Sequence, residues 1–121
     1  GVVKVSRLYL EEILQNFITN AIRYTQKGSI TLSIKKNKSG EITFKVIDTG
    51  IGISKADMAK IFDKFYRAED YRTRETKGTG LGLYVSAKLA KKLGCKIEVE
   101  SRLNHGSTFG FKLKEFKNND K

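Results

Sequence analysis

The N-terminal part of the chain carries a helical pattern of apolar residues. From Leu10 the apolar positions fall at 10, 13, 14, 17, 18, 21 and 22, separated by polar residues. Steps of three and four place these side chains on one face of an α-helix. Ser6 precedes the pattern, where a hydroxyl can cap the first free N–H groups. The pattern therefore predicts an amphipathic helix capped by Ser6 that ends near Tyr24.

Four segments alternate between apolar and polar residues, as strands with one buried face do. The first two occupy 29–35 and 41–48, with a Ser-Gly turn at 38–40 between them, and predict a β-hairpin with one buried face. The other two strands are predicted at 96–101 and 107–114.

Two further helices are predicted between the second and third strands. Ser54 is a suitable N-cap for a short helix over 54–62. A longer helix is expected from Gly80 to Leu93, ending at Gly94, because glycine readily adopts the left-handed conformation that terminates helices.

Between these helices the residues are polar and charged without a clear period, which predicts a mobile lid at about 63–79. Residues 115–121 are expected to be frayed. No linker or repeat divides the chain, so 1–121 is predicted to be a single domain. Helices with mainly antiparallel strands predict an α+β fold: a two-layer sandwich whose mixed, mainly antiparallel sheet carries helices on one face.

The 121 residues carry a formal net charge of +11, with Lys and Arg scattered along the chain. Without a dense basic block, this charge suits an anionic small ligand as well as nucleic acid. No stretch approaches the roughly 20 apolar residues of a membrane span. The single Cys95 has no intramolecular disulfide partner, which favours a reducing compartment. We therefore expect a cytoplasmic, monomeric domain that does not span a membrane.

A polar stripe follows the first helix, opposite its apolar face. Glu12, Asn16, Asn20 and Arg23 stand at spacings of four, four and three residues. Such a stripe can face solvent or a ligand. Two mid-helix asparagines cost about 1 kcal/mol relative to alanine, which favours a specific role. An asparagine oxygen can ligate Mg²⁺, and phosphates and water can complete the site.

Two glycine-containing segments, at 48–53 and 77–83, lie on either side of the predicted short helix and lid. In the first, Asp48 ends a buried strand, and Gly50 and Gly52 permit close backbone approach, an arrangement suited to accepting an adenine amino proton. An ordinary turn is the alternative. In the second, glycines precede a helix whose N-terminus favours an anion. Its G-x-G-x-G spacing and the lack of a βαβ unit exclude a Rossmann site, although a simple helix-start turn remains possible.

Together and in this order, the segments resemble the N, G1, F, G2 and G3 boxes of the catalytic ATP-binding domain of bacterial sensor histidine kinases. They lie at 16–24, 48–53, 61–67, 77–83 and 104–108, and the resemblance covers about Ser6 to Leu113. It implies a Bergerat-type α/β sandwich, as in the superfamily of gyrase, Hsp90, histidine kinases and MutL, with ATP and Mg²⁺ bound under a flexible lid.

Carried over residue by residue, the resemblance implies a role for each matching position. Asn20 would be the Mg²⁺ ligand, Asn16 its polar neighbour, Arg23 a phosphate contact and Tyr24 a residue beside the nucleoside. Asp48 would specify adenine. The other implied nucleotide contacts are Gly50, Gly52, Ile53 and Thr108 near adenine, and Gly78, Thr79, Gly80, Leu81, Gly82 and Leu83 near the phosphates. Arg67 matches the F-box arginine near the γ-phosphate.

The implied activity is transfer of the γ-phosphoryl group of Mg·ATP to a histidine on a separate dimerisation domain, with a response regulator downstream. The candidate catalytic residues are Asn16 and Arg67. Because Asn16 stands where related ATPases carry a water-activating Glu, hydrolysis should be slow. His105 lies in a turn and is not assigned as the acceptor. The parent kinase could be anchored in the plasma membrane.

Three alternatives belong to different functional classes. An ATP-sensing module without transfer is disfavoured by the intact Asn20, Asp48 and glycines. A protein serine kinase of the anti-sigma type, an alternative within the same superfamily, is disfavoured by Asn16. Such kinases look built around an acidic catalytic residue at this position. A nucleic-acid-binding domain would explain the charge, with affinity that falls steeply with salt, but not the adenine-type site.

Overall fold

The computed structural model describes residues 2–64, 66 and 81–114, with side chains from residue 7 onward. These residues form an α+β fold with a single four-stranded sheet. The helices are α1 (Val2–Tyr24), α2 (Lys55–Met58) and α3 (Gly82–Lys92), and the strands are β1 (Ile30–Lys36), β2 (Glu41–Asp48), β3 (Ile97–Ser101) and β4 (Ser107–Lys114). The predicted fold class is confirmed, and every pairing among the described strands is antiparallel.

Helix α1 ends at Tyr24 as predicted but begins at Val2, so the prediction that Ser6 caps it is wrong. Apolar residues at 2, 3 and 5 precede Ser6 and extend the helix toward the N-terminus. Ser54 does cap α2: its Oγ accepts from Asp57 N at 3.2 Å, although α2 is shorter than expected. Helix α3 ends before Gly94, whose φ of +75° confirms the predicted glycine terminus.

The strand order is β1-β2-β4-β3, and its register arranges the core-facing side chains in rows across the sheet. Residues paired directly across antiparallel strands share a face. Two of these rows are almost wholly apolar: Ile34–Phe44–Phe111–Ile97 and Leu32–Val46–Phe109–Val99. Phe17 of α1 packs against them, with ring centroids 5.4 Å from Phe109 and 6.1 Å from Phe111. The core therefore lies between α1 and the central strands β2 and β4.

The hairpin forms in the expected place, but its two strands are not equally covered. Phe44 and Val46 of β2 are buried, whereas Ile30, Leu32 and Ile34 of β1 are 38%, 47% and 55% exposed. Strand β1 is a sheet edge, and the helices lie over the central strands instead. The expectation of one buried face thus holds for β2 and fails for β1.

The predicted lid at 63–79, except for residues 63, 64 and 66, and the predicted frayed tail at 115–121 lie outside the described residues. None of the described helices is long and apolar enough to cross a membrane.

Candidate functional site

A polar row closes one end of the apolar sheet face. Ile30, Asp48, Ser107 and Ser101 are paired in sequence across the four strands, next to the row that contains Val46 and Phe109. Asp48 is 5% exposed and Ser107 is 7% exposed. The sheet therefore places a nearly buried carboxyl group at the boundary between the hydrophobic core and the turn that follows β2.

The Asp48 carboxyl group is held through one of its two oxygens. Its Oδ1 accepts from Gly50 N at 2.9 Å and from Ser107 N at 3.2 Å. Burial raises the pKa of Asp48, and the hydrogen bonds from these two N–H groups oppose that rise. No hydrogen bond from a described residue reaches Oδ2, which leaves that oxygen able to accept from a ligand.

Glycines allow the backbone segments around Asp48 to come together. A Cβ on Gly50 would lie 2.2 Å from Tyr24 O, and one on Gly52 would lie 1.9 Å from Arg102 O. Gly52 also has a φ of +72°, which favours glycine. The predicted close approach is present, but the approaching groups are protein backbone. These glycines are therefore needed to build the site before any ligand enters it.

A chain of hydroxyl groups supports the same turn. Ser101 Oγ donates to Gly106 O at 2.9 Å and accepts from Ile53 N at 2.9 Å. Ser107 Oγ lies 2.7 Å from Ser101 Oγ. Because the one Ser101 proton is already used, Ser107 is the donor in this pair. The Ser107 hydroxyl is thereby directed away from Asp48.

The structure separates Thr108 from this group. Thr108 is paired with Ile47, and successive residues of a strand point to opposite faces, so its side chain lies on the other side of the sheet from Asp48. Ser107, for which the sequence analysis named no role, is the residue paired with Asp48. The alternation of Ser107 with the buried Phe109 was the sequence signal that could have identified it.

Helix α1 connects the Asp48 turn with the beginning of α3. At its C-terminal end, Tyr24 O accepts from Ile51 N at 3.1 Å. Eight residues earlier, Asn16 Nδ2 donates to Gly82 O at 3.2 Å and to Ser86 Oγ at 3.0 Å. At 1.5 Å per residue, these two positions are about 12 Å apart along the helix. Ser86 Oγ donates in turn to Gly82 O at 2.8 Å.

Asn20 lies between these two ends of the site, one helical turn from each. It is half-buried, and its side chain makes no hydrogen bond to another described residue. Arg23, at the end of the stripe, has its guanidinium carbon 6.0 Å from the centre of the Tyr24 ring. Glu12, the first member of the predicted stripe, is exposed. The asparagine part of the stripe thus faces the site, whereas Glu12 faces solvent.

Only part of the second glycine segment can be placed. Leu81 precedes α3 without a side-chain cap, Gly82 is its first residue, and Leu83 packs against the core. The predicted site residues Arg67, Gly78, Thr79 and Gly80 lie outside the described part of the chain. The first N–H groups of an α-helix have no partner within the helix, and such groups are suited to anions.

The described residues contain no group of three His, Cys, Asp or Glu side chains that could hold a metal ion. A cation here would depend on neutral oxygens and on ligand phosphates, as Mg²⁺ commonly does beside nucleotides. Asn20, with its uncommitted amide oxygen, fits that requirement. Asn16 fits it less well, since its amide nitrogen fixes the side chain against α3.

Known proteins with similar sequences include bacterial sensor proteins. A family model described as histidine kinase-, DNA gyrase B- and HSP90-like ATPase matches residues 6–117. The aerobic respiration control sensor protein ArcB of Escherichia coli strain K12 is 41% identical over 101 residues, which are 83% of this chain and 13% of ArcB. The sensor protein SrrB of Staphylococcus aureus strain NCTC 8325 is 39% identical over 105 residues, or 86% of this chain and 18% of SrrB.

Solved structures with a similar fold include those of histidine kinases. Full-length ShkA, crystallised in complex with AMPPNP, matches with a TM-score of 0.73 and 32% identity over 87% of this chain and 21% of ShkA. A nucleotide-free catalytic domain of the histidine kinase ThkA matches with a TM-score of 0.72 and 30% identity over 89% of this chain and 67% of that domain. The chain belongs to the family of histidine kinase-, DNA gyrase B- and HSP90-like ATPases and is an ATPase domain of the kind found in sensor histidine kinases.

Proposed function

We propose that this domain binds Mg·ATP with its adenine at Asp48 and serves as the catalytic domain of a sensor histidine kinase. The observation that carries the proposal is the Asp48 carboxyl group, which is nearly buried and held through Oδ1 alone. The remaining oxygen can accept a hydrogen bond from the adenine amino group. Guanine presents a carbonyl oxygen at the same position, so the carboxylate would reject it.

The length of α1 supports placing the phosphates near α3. About 12 Å of helix separates the Tyr24 end, beside the Asp48 turn, from Asn16 at the start of α3. A nucleotide lying along α1 would pass Asn20 and reach the free N–H groups of α3. Asn20 would hold Mg²⁺, which when bound supplies positive charge to the phosphate oxygens. Ile53, Gly82 and Leu83 would line the same path, and Thr79 with its neighbouring glycines would contact the phosphates.

The reaction would be transfer of the γ-phosphoryl group to a histidine on a separate dimerisation domain. Arg67 would stabilise charge at the transferred group, and Asn16 would keep α1 and the start of α3 aligned. Asn16 has no proton-accepting group to activate water, so hydrolysis should be slow. The described histidine, His105, lies in the turn between β3 and β4, where its N donates to Arg102 O. It is not the proposed acceptor.

Sensor-kinase relatives favour this activity over an ATP-sensing module or an anti-sigma type of serine kinase. The chain spans only 13% of ArcB and 18% of SrrB, so the parent protein would supply the dimerisation domain. We propose a response regulator as the downstream partner and a cytoplasmic position for this domain, and no role for nucleic acid.

Nucleotide binding can be tested by calorimetry with ATP and GTP, each with and without Mg²⁺. Wild type should bind ATP in preference to GTP, and Asp48→Asn should lose at least tenfold in ATP affinity, since a hydrogen bond to a charged group is worth about 1.5–3 kcal/mol. Glu98→Gln, at an exposed carboxylate on β3, is the matched control and should bind like wild type. Equal ATP binding by wild type and Asp48→Asn would refute the adenine assignment.

Transfer is tested separately, in the parent kinase with γ-labelled ATP. Labelled phosphoryl should appear on a histidine and should require Asn20, so that Asn20→Ala loses transfer at a Mg²⁺ concentration that suffices for wild type. Gln15→Ala, on the exposed side of α1, is the control. ATP binding without any transfer would identify the domain as a sensing module instead.

A further inference from the structure

Thr25, the residue that follows α1, has a buried hydroxyl group with no hydrogen-bond partner. Its Oγ1 is the buried side-chain oxygen among the described residues that lacks a partner. Buried polar atoms in folded proteins are nearly always hydrogen-bonded, so an exception requires an explanation. None of the predicted site residues, and no residue of the resembling motifs, accounts for this hydroxyl.

The surroundings of Thr25 connect it with the Asp48 turn. A Cβ on Gly50 would lie 2.6 Å from Thr25 Oγ1, so the hydroxyl lies against the backbone of Gly50. Gly50 N is one of the two groups that hold Asp48 Oδ1. On its other side, the Thr25 methyl group is 3.5 Å from where a Cβ of Gly28 would lie. The side chain is therefore confined between two glycine segments, with its hydroxyl against the residue whose N–H group holds Asp48.

Thr25 is also the hydroxyl group that remains available to Asp48. The Ser107 hydroxyl donates to Ser101 and is directed away from the carboxyl group. The Thr25 hydroxyl lies beside the carboxyl group and acts to lower the pKa of Asp48, although its oxygen has no partner within hydrogen-bonding geometry.

We propose that Thr25 is a positioning residue whose hydroxyl donates to the Asp48 carboxylate and keeps it aligned to accept from the adenine amino group. This proposal rests on the proposed function, because it assigns Thr25 a part in adenine recognition. It adds to the site a residue that precedes β1 and does not itself touch the nucleotide.

The proposed hydrogen bond from Thr25 to Asp48 should change how ATP affinity depends on pH. Besides burial, the groups that act on the Asp48 carboxyl group are Gly50 N, Ser107 N and the Thr25 hydroxyl, and no described charged side chain contributes. Adenine recognition needs the ionised carboxylate, so ATP affinity should fall as the pH falls through the raised pKa of Asp48. Removing the Thr25 hydroxyl should raise that pKa further and move the loss of affinity to higher pH.

Two variants separate this role from a packing role. Thr25→Val keeps the shape and removes the hydroxyl, whereas Thr25→Ser keeps the hydroxyl. The first measurement is an NMR titration of the Asp48 carboxyl carbon in the nucleotide-free domain, and the second is the Kd for ATP between pH 5.5 and pH 8.

In Thr25→Val, Asp48 should titrate at higher pH than in wild type. ATP binding should weaken about tenfold, as expected for a lost hydrogen bond to a charged group, and the loss of affinity on acidification should begin at higher pH than in wild type. Thr25→Ser should behave like wild type in both measurements. An Asp48 titration that is the same in all three proteins would overturn the proposal.

The titration requires no nucleotide, so it also separates this proposal from the proposed function. If wild type fails to bind ATP, the proposed function fails, and the titration still decides whether Thr25 acts on Asp48. If Thr25→Val fails to fold, Thr25→Ala replaces it in both measurements. Unchanged Kd values for the folded variant at all pH values would leave Thr25 with a packing role and refute the positioning role.

Discussion

At the scale of single residues, Asp48 combines a functional group with an unfavourable location. Its carboxyl group is 5% exposed and receives its described hydrogen bonds at one oxygen. An ionised group in such a place loses hydration that two N–H groups only partly replace. We therefore expect that the carboxylate proposed for adenine recognition lowers the stability of the domain.

The sign of this effect predicts the behaviour of Asp48→Asn. Burial raises the pKa of Asp48, so the folded protein binds the proton more tightly than the unfolded chain. The cost is absent below the unfolded pKa near 3.8, grows as the pH rises, and is complete above the folded pKa. Asp48→Asn should raise the thermal midpoint by about 4 °C at pH 7, the effect of roughly 1 kcal/mol, and have little effect at pH 4.

Glu98→Gln is again the control, because Glu98 is exposed and its replacement should leave the midpoint unchanged at both pH values. A lower midpoint for Asp48→Asn at pH 7 would show that the ionised carboxylate stabilises the fold.

Gly106 and Gly94 allow backbone strain to be separated from steric overlap. Both have positive φ, +81° and +75°. A Cβ on Gly106 would lie 2.2 Å from Asp48 O, whereas nothing lies within 4 Å of one on Gly94. In urea unfolding, Gly94→Ala should cost about 1 kcal/mol from strain alone. Gly106→Ala should cost about 3 kcal/mol or more, because the strand ends must also move apart. Similar losses in the two variants would contradict this account.

At the scale of elements, one amide side chain, that of Asn16, forms hydrogen bonds from α1 to the first turns of α3. Asn16 Nδ2 donates both to Gly82 O and to Ser86 Oγ, whose own proton already goes to Gly82 O. An amide is therefore needed at position 16 because it donates where the neighbouring groups accept.

Asn16→Asp should destabilise the domain by about 2 kcal/mol in urea unfolding, since a carboxylate would face two acceptors without a proton to share. Gln15→Glu is the matched control on the same helix. Gln15 is exposed and donates only to Thr19 at 3.1 Å, so its replacement should cost less than about 0.5 kcal/mol. A loss of stability for Asn16→Asp as small as that of the control would show that the Asn16 hydrogen bonds do not stabilise the contact between α1 and α3.

At the scale of the whole molecule, the helices cover the sheet unevenly. Leu32 and Val46 are direct partners in the same row of the same face, yet Leu32 is 47% exposed and Val46 is 1% exposed. Strand β1 is a sheet edge with apolar side chains in solvent, a feature that soluble proteins usually limit. The described part of the domain therefore has one open side.

This asymmetry predicts opposite outcomes for the same substitution in one row. Leu32→Lys should change the free energy of unfolding by less than about 1 kcal/mol, because a lysine on an exposed edge remains hydrated. Val46→Lys should abolish the folded circular dichroism spectrum, because it buries an unpaired charge. If Leu32→Lys proves as damaging as Val46→Lys, the face of β1 that carries Leu32 is covered in solution.

Much of the secondary structure could be predicted because it depends on local periodicity. Apolar residues spaced three and four apart predicted that α1 ends at Tyr24. The alternation of apolar and polar residues predicted the bounds of the four strands to within one residue. The error at Ser6 came from giving a capping preference more weight than the apolar residues before it. The predictions for Asp48 and Asn20 followed from the order of the motifs, whereas the position of Ser107 beside Asp48 was not predicted.

What the sequence determined by itself was the set of elements, the carboxylate at the end of β2, the asparagines on one stripe of α1 and the glycines of the turns. These depend on the conformational preferences of nearby residues. The tertiary structure alone decided that Gly50 and Gly52 admit protein backbone, that Ser107 stands beside Asp48, that β1 is left exposed, and that the Thr25 hydroxyl is buried without a partner. Each of these depends on contacts between segments far apart in the chain, whose distances and burial are set only when the sheet and the helices pack together.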